Sequence, residues 1–265
     1  MAEAELPSVG VRFYAELNDH LPKGDRQREG RFRFVGRNTV KDAIEAFGVP
    51  HVEVDLIVVN GRSVDFTYRL RDGDRISVYP VFESLDISPL VRLQDRPLRN
   101  PRFVADVHLR KLARWLRLLG FDTAYGDAAD DAALAASAGT GGRILLTRDR
   151  ELLKRRAVAH GYWVRNTDPV EQTVEVLRRF DLAAGSARYT RCPACNGAII
   201  AVDKAAVAGL IPPRTAAWLD TYFRCTNCGK LYWRGTHIPK LDSMFDRILD
   251  RCTAGGSRSV GSSDR

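Results

Sequence analysis

The sequence contains no apolar run that approaches the roughly 20 consecutive residues a membrane-spanning helix needs. Its start, MAEAELPSVGVRF, has neither the basic segment nor the apolar core of a secretory signal. We therefore expect a protein that makes no membrane contact and works in the reducing cytoplasm. With 265 residues the chain is longer than one small hydrophobic core usually fills, which favours two or three domains.

Long blocks of lysine and arginine are also missing, although positive charge is in excess. The chain has 41 basic and 33 acidic residues, which gives a formal net charge of +8. Such an excess favours a polyanionic partner, nucleic acid above all. Because the charge is dispersed along the chain, composition alone leaves the identity of this partner open.

Residues 8–86 are predicted to form a ubiquitin-like β-grasp domain, with elements in the order strand, strand, helix, strand, strand. Thr39 is placed to cap the helix, apolar residues follow at helical spacing, and Gly48 is placed to end it. Sulfur carriers share this fold but need a free C-terminal diglycine, whereas this chain continues through YPVFESLD. We therefore expect the domain to bind a protein partner or to recruit substrate rather than to carry sulfur.

Two segments have the composition of connections rather than domains. Residues 87–101 contain prolines and no clean periodicity, which predicts a linker. Residues 253–265 are rich in glycine and serine and are predicted to be a disordered tail. Cys252 is placed in this polar part of the chain.

Between them, residues 102–184 alternate strand and helix four times, which predicts a parallel α/β sheet. The predicted strands are RFVAD, FDTAYG, RILLT and YWVRN. The predicted helices are HLRKLARWLRLLG, DAALAASAG, RELLKRRAVAHG and DPVEQTVEVLRRF. Ligands of such sheets bind at the carboxyl ends of the strands.

Three aspartates follow that rule, because Asp106 closes the first strand, Asp131 opens the helix after the second, and Asp149 comes just after the third. If they converge, they can hold one or two Mg²⁺ or Mn²⁺ ions, which prefer hard oxygen ligands. Asp131 and Asp149 also stand where an aspartate caps a helix, so capping remains the alternative for each taken singly. Asp106 follows an apolar run and has to be solvated, paired or metal-bound.

Arginines accompany the aspartates. Arg110, Arg114 and Arg117 recur at helical spacing on the first helix, and Arg148 and Arg150 flank Asp149. Such a face can position a phosphate backbone without reading bases. An ordinary solvated helix face accounts for the first three equally well.

Two C-x-x-C pairs in residues 188–241 predict a zinc ribbon: Cys192 with Cys195, and Cys225 with Cys228. Four thiolates complete a tetrahedral structural Zn²⁺ site. Trp233 and Arg234 follow the second pair and can stack on a base and contact a phosphate, as in single-strand binders. Packing of Trp233 on the small core of the ribbon is an equally good interpretation.

The stretches FVADVHLRKLARWLRLLGFDTAY, DDAALAASA and GGRILLTRDRELLKRR resemble the Mut-7 C-terminal RNase domain family of PIN-like nucleases. The segments IEAFGVPHVEVDLIVVNG and LRDGDRISVYP resemble the ubiquitin-like domain that precedes the RNase in that family. The resemblance implies that Asp106, Asp131 and Asp149 are the acidic site. Three further aspartates are candidates for exchange with Asp131 or for a fourth ligand: Asp130, Asp168 and Asp127.

The resemblance implies a metal-dependent ribonuclease that cleaves RNA internally and acts in RNA processing or decay. Its substrate-binding residues would include Arg110, Arg114, Arg148, Trp233 and Arg234. The rival hypothesis is a non-catalytic adaptor that binds RNA or the ribosome through the zinc ribbon. The acidic residues alone would equally permit a DNA nuclease.

Overall fold

A computed structural model describes residues 6–80, 101–126, 131–139 and 142–254. The chain divides into two compact units. The first unit comprises residues 1–100 and 129–163, and the second comprises residues 101–128 and 164–265. Most of the predicted linker, residues 255–265 of the predicted tail, Asp127 and Asp130 lie outside the described residues. Within the described part of the chain, no helix combines the length and apolarity that crossing a membrane requires.

The N-terminal part of the first unit is the predicted β-grasp domain. Its elements are β1 (Ser8–Phe13), β2 (Glu29–Arg33), α1 (Val40–Ala46), β3 (Val54–Val59), β4 (Arg62–Val64) and β5 (Arg75–Pro80). Its sheet has the strand order β2-β1-β5-β3-β4, in which β1 and β5 are parallel and the other pairs antiparallel.

The predicted helix signals in this domain are confirmed. The Thr39 hydroxyl accepts a hydrogen bond from the Asp42 backbone N–H, and Asp42 accepts one from the Thr39 N–H in return, which forms a capping box. Gly48 has a φ of +84°, the left-handed conformation that ends a helix at least cost in a glycine. Helix α1 buries its apolar face, including Val40 and Ile44, in the core beneath the sheet.

The C-terminal part of the first unit contains α3 (Asp131–Gly139), β8 (Ile144–Thr147), α4 (Arg150–Leu153) and β9 (Gly161–Trp163). Strands β8 and β9 are parallel, as predicted. Helix α4 is much shorter than the predicted helix of residues 150–161. After Leu152 and Leu153, the next positions on the same face are Arg156 and Ala157, which cannot continue a buried apolar stripe.

The second unit begins with β6 (Phe103–Ala105), α2 (Arg110–Leu118) and β7 (Thr123–Tyr125), and β6 and β7 form a parallel pair. Helix α5 (Pro169–Arg179) follows, and the three-stranded antiparallel ribbon comprises β10 (Ile199–Val202), β11 (Tyr222–Cys225) and β12 (Leu231–Trp233). A short helix, α6 (Pro213–Ala216), lies between β10 and β11. The predicted combination of β-grasp, parallel α/β elements and a four-cysteine ribbon is thus confirmed.

A last helix, α7 (Ile238–Ala254), was not among the predicted elements. Its buried Phe245 packs edge-to-face against Trp115 of α2, with ring centroids 5.6 Å apart. Arg251 of α7 pairs with Glu171 of α5. The placement of Cys252 in a polar tail is therefore wrong, because it lies half-buried on this helix.

Candidate functional sites

Asp106 directly follows β6 and is only 4% exposed. Its Oδ1 accepts a hydrogen bond of 2.8 Å from the backbone N–H of His108, so the carboxylate caps the short 3-10 helix that leads into α2. Burial of a carboxylate is costly unless hydrogen bonds, charge or a metal compensate it. Asp106 is therefore a buried carboxylate, whereas most aspartates in folded proteins are exposed.

Asp149 comes two residues after the end of β8, and its backbone N–H donates to the Thr147 hydroxyl. Its Oδ1 accepts hydrogen bonds from the N–H groups of Glu151 (2.8 Å) and Leu152 (3.4 Å). The capping role that the sequence left open is therefore present at Asp149. Asp168 does the same for α5, through Val170 and Glu171.

Asp131 is the first residue of α3 and is half exposed. Its Oδ2 accepts a hydrogen bond of 2.7 Å from the guanidinium of Arg155. Asp131 and Asp149 belong to the first unit, and Asp106 belongs to the second. All three offer carboxylate oxygens, the donor type that Mg²⁺ and Mn²⁺ prefer, so their chemistry fits the expected metals.

Within the first unit, the segment around Asp149 is tied to the β-grasp domain. Arg150 donates a 2.9 Å hydrogen bond to the carbonyl of His20, and its guanidinium lies 5.3 Å from the ring centre of Trp163. The buried Glu53 accepts hydrogen bonds from the Nε2 of His20 (2.8 Å) and the backbone N–H of Trp163 (2.6 Å). The indole N–H of Trp163 donates in turn to the carbonyl of Arg148. No sequence pattern indicated this network, because its members are far apart in the chain.

The four predicted cysteines converge, and their sulfur atoms all lie within 4.8 Å of one another. The Sγ atoms of Cys192 and Cys228 are 3.7 Å apart, and those of Cys195 and Cys225 are 3.4 Å apart. Zn–S bonds of 2.3 Å in a tetrahedron place sulfurs about 3.8 Å apart. The cluster therefore has the dimensions of a four-thiolate zinc site.

The pKa values of two cluster cysteines shift in opposite directions. Although burial opposes ionisation, the backbone hydrogen bond at Gly197 and the neighbouring thiols lower the pKa of Cys195 to about 6. Although a backbone hydrogen bond at Lys230 acts in the opposite sense, the neighbouring thiols and burial raise the pKa of Cys228 to about 12. The Tyr232 hydroxyl lies 3.0 Å from the Cys192 sulfur. Burial, and then this contact, raise the pKa of Tyr232, so its proton stays available for donation to a thiolate. Such hydrogen bonds orient and tune metal ligands.

The first cysteine pair is anchored to α2 and β7 by Arg117 and Asn196. Arg117 is 4% exposed and donates hydrogen bonds to three backbone carbonyls, those of Thr123, Pro193 and Ala194. Asn196, in the left-handed conformation, accepts a hydrogen bond from the Thr123 N–H and donates one to Asp122. The predicted arginine stripe on α2 is therefore incomplete, because Arg117 faces the interior.

The remaining predicted substrate-binding residues fall into two groups. Arg110 and Arg148 are exposed, and in sequence they lie close to Asp106 and Asp149 respectively. Arg114, Trp233 and Arg234 line one cavity of about 670 Å³ in the second unit. Trp233 also packs against the ribbon core, with its ring centroid 6.4 Å from that of Tyr222. Trp233 thus packs on the ribbon core, as one interpretation predicted, and it also lines the cavity.

Two family models match successive parts of the chain. The Mut7-C ubiquitin family matches residues 6–86, and the Mut7-C RNAse domain family matches residues 101–245. No curated protein matches the chain significantly.

Two solved structures match a part of the chain. They are the small archaeal modifier protein 1 of H. volcanii (18% identity) and a putative molybdopterin converting factor, subunit 1, of Pyrococcus furiosus (26% identity). Each match covers 29% of this chain and 99% of the other, with a TM-score of 0.24. The β-grasp assignment of residues 6–80 rests on the strand order of this chain and on the ubiquitin-family match. Because the RNAse-domain match spans more than half of the 265 residues, the chain belongs to the Mut7-C RNAse domain family.

Proposed function

We propose that this protein is a metal-dependent ribonuclease that cleaves RNA internally, with Asp106, Asp131 and Asp149 as its catalytic carboxylates. Membership of the Mut7-C RNAse domain family is the observation that carries the proposal. The position of each aspartate supports it, since Asp106 and Asp149 follow parallel strands and Asp131 opens a helix. Ligand sites of parallel sheets form at this end of the strands.

In this proposal the three aspartates hold Mg²⁺ or Mn²⁺, and their own hydrogen bonds define their roles. Asp106, buried and fixed by the His108 N–H, supplies a ligand oxygen in a fixed orientation. Asp149 is held at Oδ1 by its helix cap. Asp131, which pairs with Arg155, would supply a further carboxylate oxygen. When bound, the metal activates water and neutralises charge that develops on the phosphate.

Two arginines close in sequence to these aspartates, Arg110 and Arg148, have a positioning role. Arg110 and Arg148 are exposed and contact the phosphate backbone without reading bases. Such contacts are sequence-independent and weaken as salt concentration rises. Cleavage that depends strongly on salt but weakly on base identity is therefore expected.

A structural Zn²⁺ in the four-cysteine cluster completes the proposal. The cluster dimensions match zinc–thiolate geometry. Paired C-x-x-C motifs that bind metal rather than form disulfides are typical of reducing compartments, which supports a cytoplasmic location. We further propose that the β-grasp domain binds a protein partner, since two of its strands, β2 and β4, are at the edges of its sheet.

Cleavage assays with added Mg²⁺ or Mn²⁺, on single-stranded RNA and DNA of the same sequence, test the catalytic assignment. Asp106→Asn and Asp149→Asn should each lower the cleavage rate by about a hundredfold or more, because each removes a charged metal ligand. The matched control is Asp203→Asn in the ribbon, an exposed aspartate outside the proposed site, which should cleave at the parental rate.

Two results would contradict the proposal. Cleavage by the Asp106→Asn and Asp149→Asn variants at the parental rate would contradict the proposed metal site. RNA binding without cleavage in the parental protein, under all metal conditions, would favour the adaptor hypothesis instead. Equal cleavage of DNA would widen the substrate beyond RNA.

A further inference from the structure

The cavity of about 670 Å³ lies in the second unit and has three walls. One wall is α2, with Lys111, Arg114 and Trp115; another is the ribbon sheet; the third is the start of α7, with His237. Small-molecule sites typically measure about 300–1,000 Å³, so the space is sufficient for a nucleobase with its sugar. None of the proposed catalytic aspartates contributes to it.

The ribbon wall of the cavity is aromatic because of the strand register. Ala201, Phe223 and Tyr232 are direct neighbours across β10, β11 and β12, so their side chains share one face of the sheet. The small alanine beside the two rings leaves room above them. Trp115 adds a third ring from α2 and is half-buried through its contact with Phe245. Planar rings on two walls suit a flat, stackable ligand.

The rim of the cavity is positively charged. Lys111, Arg114 and Arg234 are exposed on it, and none of the three forms an ion pair with a described acidic residue. Arg188 also lines the cavity, but Asp242 and Asp246 hold its guanidinium. Among the described residues, no aspartate or glutamate lines the cavity. An anionic ligand is therefore favoured at the rim and an aromatic one inside.

We infer that this cavity binds single-stranded RNA, with an unstacked base against Phe223, Tyr232 and Trp115 and with backbone phosphates at Lys111, Arg114 and Arg234. Stacking platforms joined to cationic tracks are the common solution for single-strand binding. The inference rests on the proposed function only in that RNA is the polymer on which the protein acts. It assigns the ribbon and α2 a binding role that is separate from cleavage.

Other occupants match these walls less well. A duplex keeps its bases paired and stacked, so it can offer phosphates to the rim but no base to the aromatic wall. An acidic peptide would satisfy the cations without using the stacking surface. The Gly/Ser-rich segment after residue 254 contains no aromatic residue and carries Arg258 and Arg265 against Asp264 alone, so it lacks the required negative charge.

Fluorescence anisotropy with a labelled single-stranded oligoribonucleotide of about 12 nucleotides tests the inference. The protein is the zinc-loaded full chain carrying Asp106→Asn and Asp149→Asn, so that cleavage cannot interfere. Phe223→Leu keeps the apolar volume but removes the ring, and should weaken binding about tenfold with no change in salt dependence. Arg114→Gln should lower the slope of log Kd against log salt by about 0.7, as expected for one lost phosphate contact on a single strand.

The control is Arg247→Gln, an exposed arginine of α7 that does not line the cavity, which should bind like the parent. Zinc content and circular dichroism establish that each variant is folded. Three results would overturn the inference: parental affinity in a Phe223→Leu, Arg114→Gln double variant, equal affinity for a duplex of the same sequence, or binding of a glutamate-rich peptide with none of RNA. Binding by this variant together with no RNA cleavage by the parental protein, at any metal concentration, would refute the proposed nuclease and leave this inference standing.

Discussion

Replacing Arg117 by methionine should destabilise the second unit strongly, because its guanidinium is buried and satisfies three backbone carbonyls. These carbonyls belong to Thr123, Pro193 and Ala194, at distances of 2.8, 3.2 and 3.0 Å. Methionine fills a similar volume but donates nothing. A hydrogen bond from a charged donor contributes about 1.5–3 kcal/mol, and a buried acceptor left unpaired costs about 1–3 kcal/mol.

The full cost of losing three such hydrogen bonds is not expected, because water can reach the partly buried carbonyls of Pro193 and Ala194. We therefore expect the free energy of unfolding to fall by about 3–5 kcal/mol, which is a large part of the 5–15 kcal/mol of a typical domain.

The loss of Arg117 should also affect zinc binding. Four thiolates around Zn²⁺ carry a net negative charge. Although burial lowers the pKa of Arg117, the thiols of Cys192 and Cys195 act in the opposite sense, so the arginine remains the cation beside them. Its loss should weaken zinc binding by about 10–100-fold.

Zinc release into a coloured chelator during a urea titration measures both effects, because the signal comes from the ribbon alone. Arg114→Met is the matched control, three residues earlier on α2 but exposed, and should change stability by less than about 0.5 kcal/mol. If the Arg117 and Arg114 variants release zinc at the same urea concentration, the buried guanidinium does not hold the ribbon to α2.

Three further predictions concern single contacts. Thr39→Ala removes one half of the capping box of α1 and should cost about 1 kcal/mol in urea unfolding, whereas Thr39→Ser should restore it. Glu53→Gln weakens the acceptor for His20 and Trp163, and hydrogen exchange at the Trp163 amide should accelerate at least about tenfold; unchanged exchange would mean that this bond does not hold β9 in place. Gly120→Ala should destabilise the protein by more than about 1 kcal/mol, because φ is +98° and the added Cβ would lie 2.3 Å from the Ala187 carbonyl oxygen; a neutral result in thermal unfolding would show that this turn rearranges freely.

Local signals in the sequence predicted most secondary structure correctly. Thr39 caps α1 and Gly48 ends it, as the sequence indicated. These signals work because capping and glycine conformation depend on the residue itself and its neighbours within one turn. Helix α7 carried a readable pattern too, since Leu241, Phe245, Ile248 and Cys252 recur at helical spacing.

Errors arose where a residue type permitted two environments. Arg117 has the same spacing as Arg110 and Arg114, yet its guanidinium lies inside because the cysteine loop offers carbonyls at that point. The predicted helix of residues 150–161 stops after Leu153, where Arg156 and Ala157 interrupt the apolar face. Helical spacing alone does not show whether a face has a partner.

The sequence by itself determined the β-grasp order, the alternation of strand and helix, the family, and the two cysteine pairs that form the four-thiol cluster. Each of these is encoded by spacing over a short stretch or by side-chain chemistry that has few alternatives. The tertiary structure alone decided that Arg117 bonds to the cysteine loop, that Glu53 bonds to Trp163, and that aromatic rings from α2 and the ribbon share a cavity. These contacts join residues 40 or more positions apart, and such distances are fixed only when the elements pack.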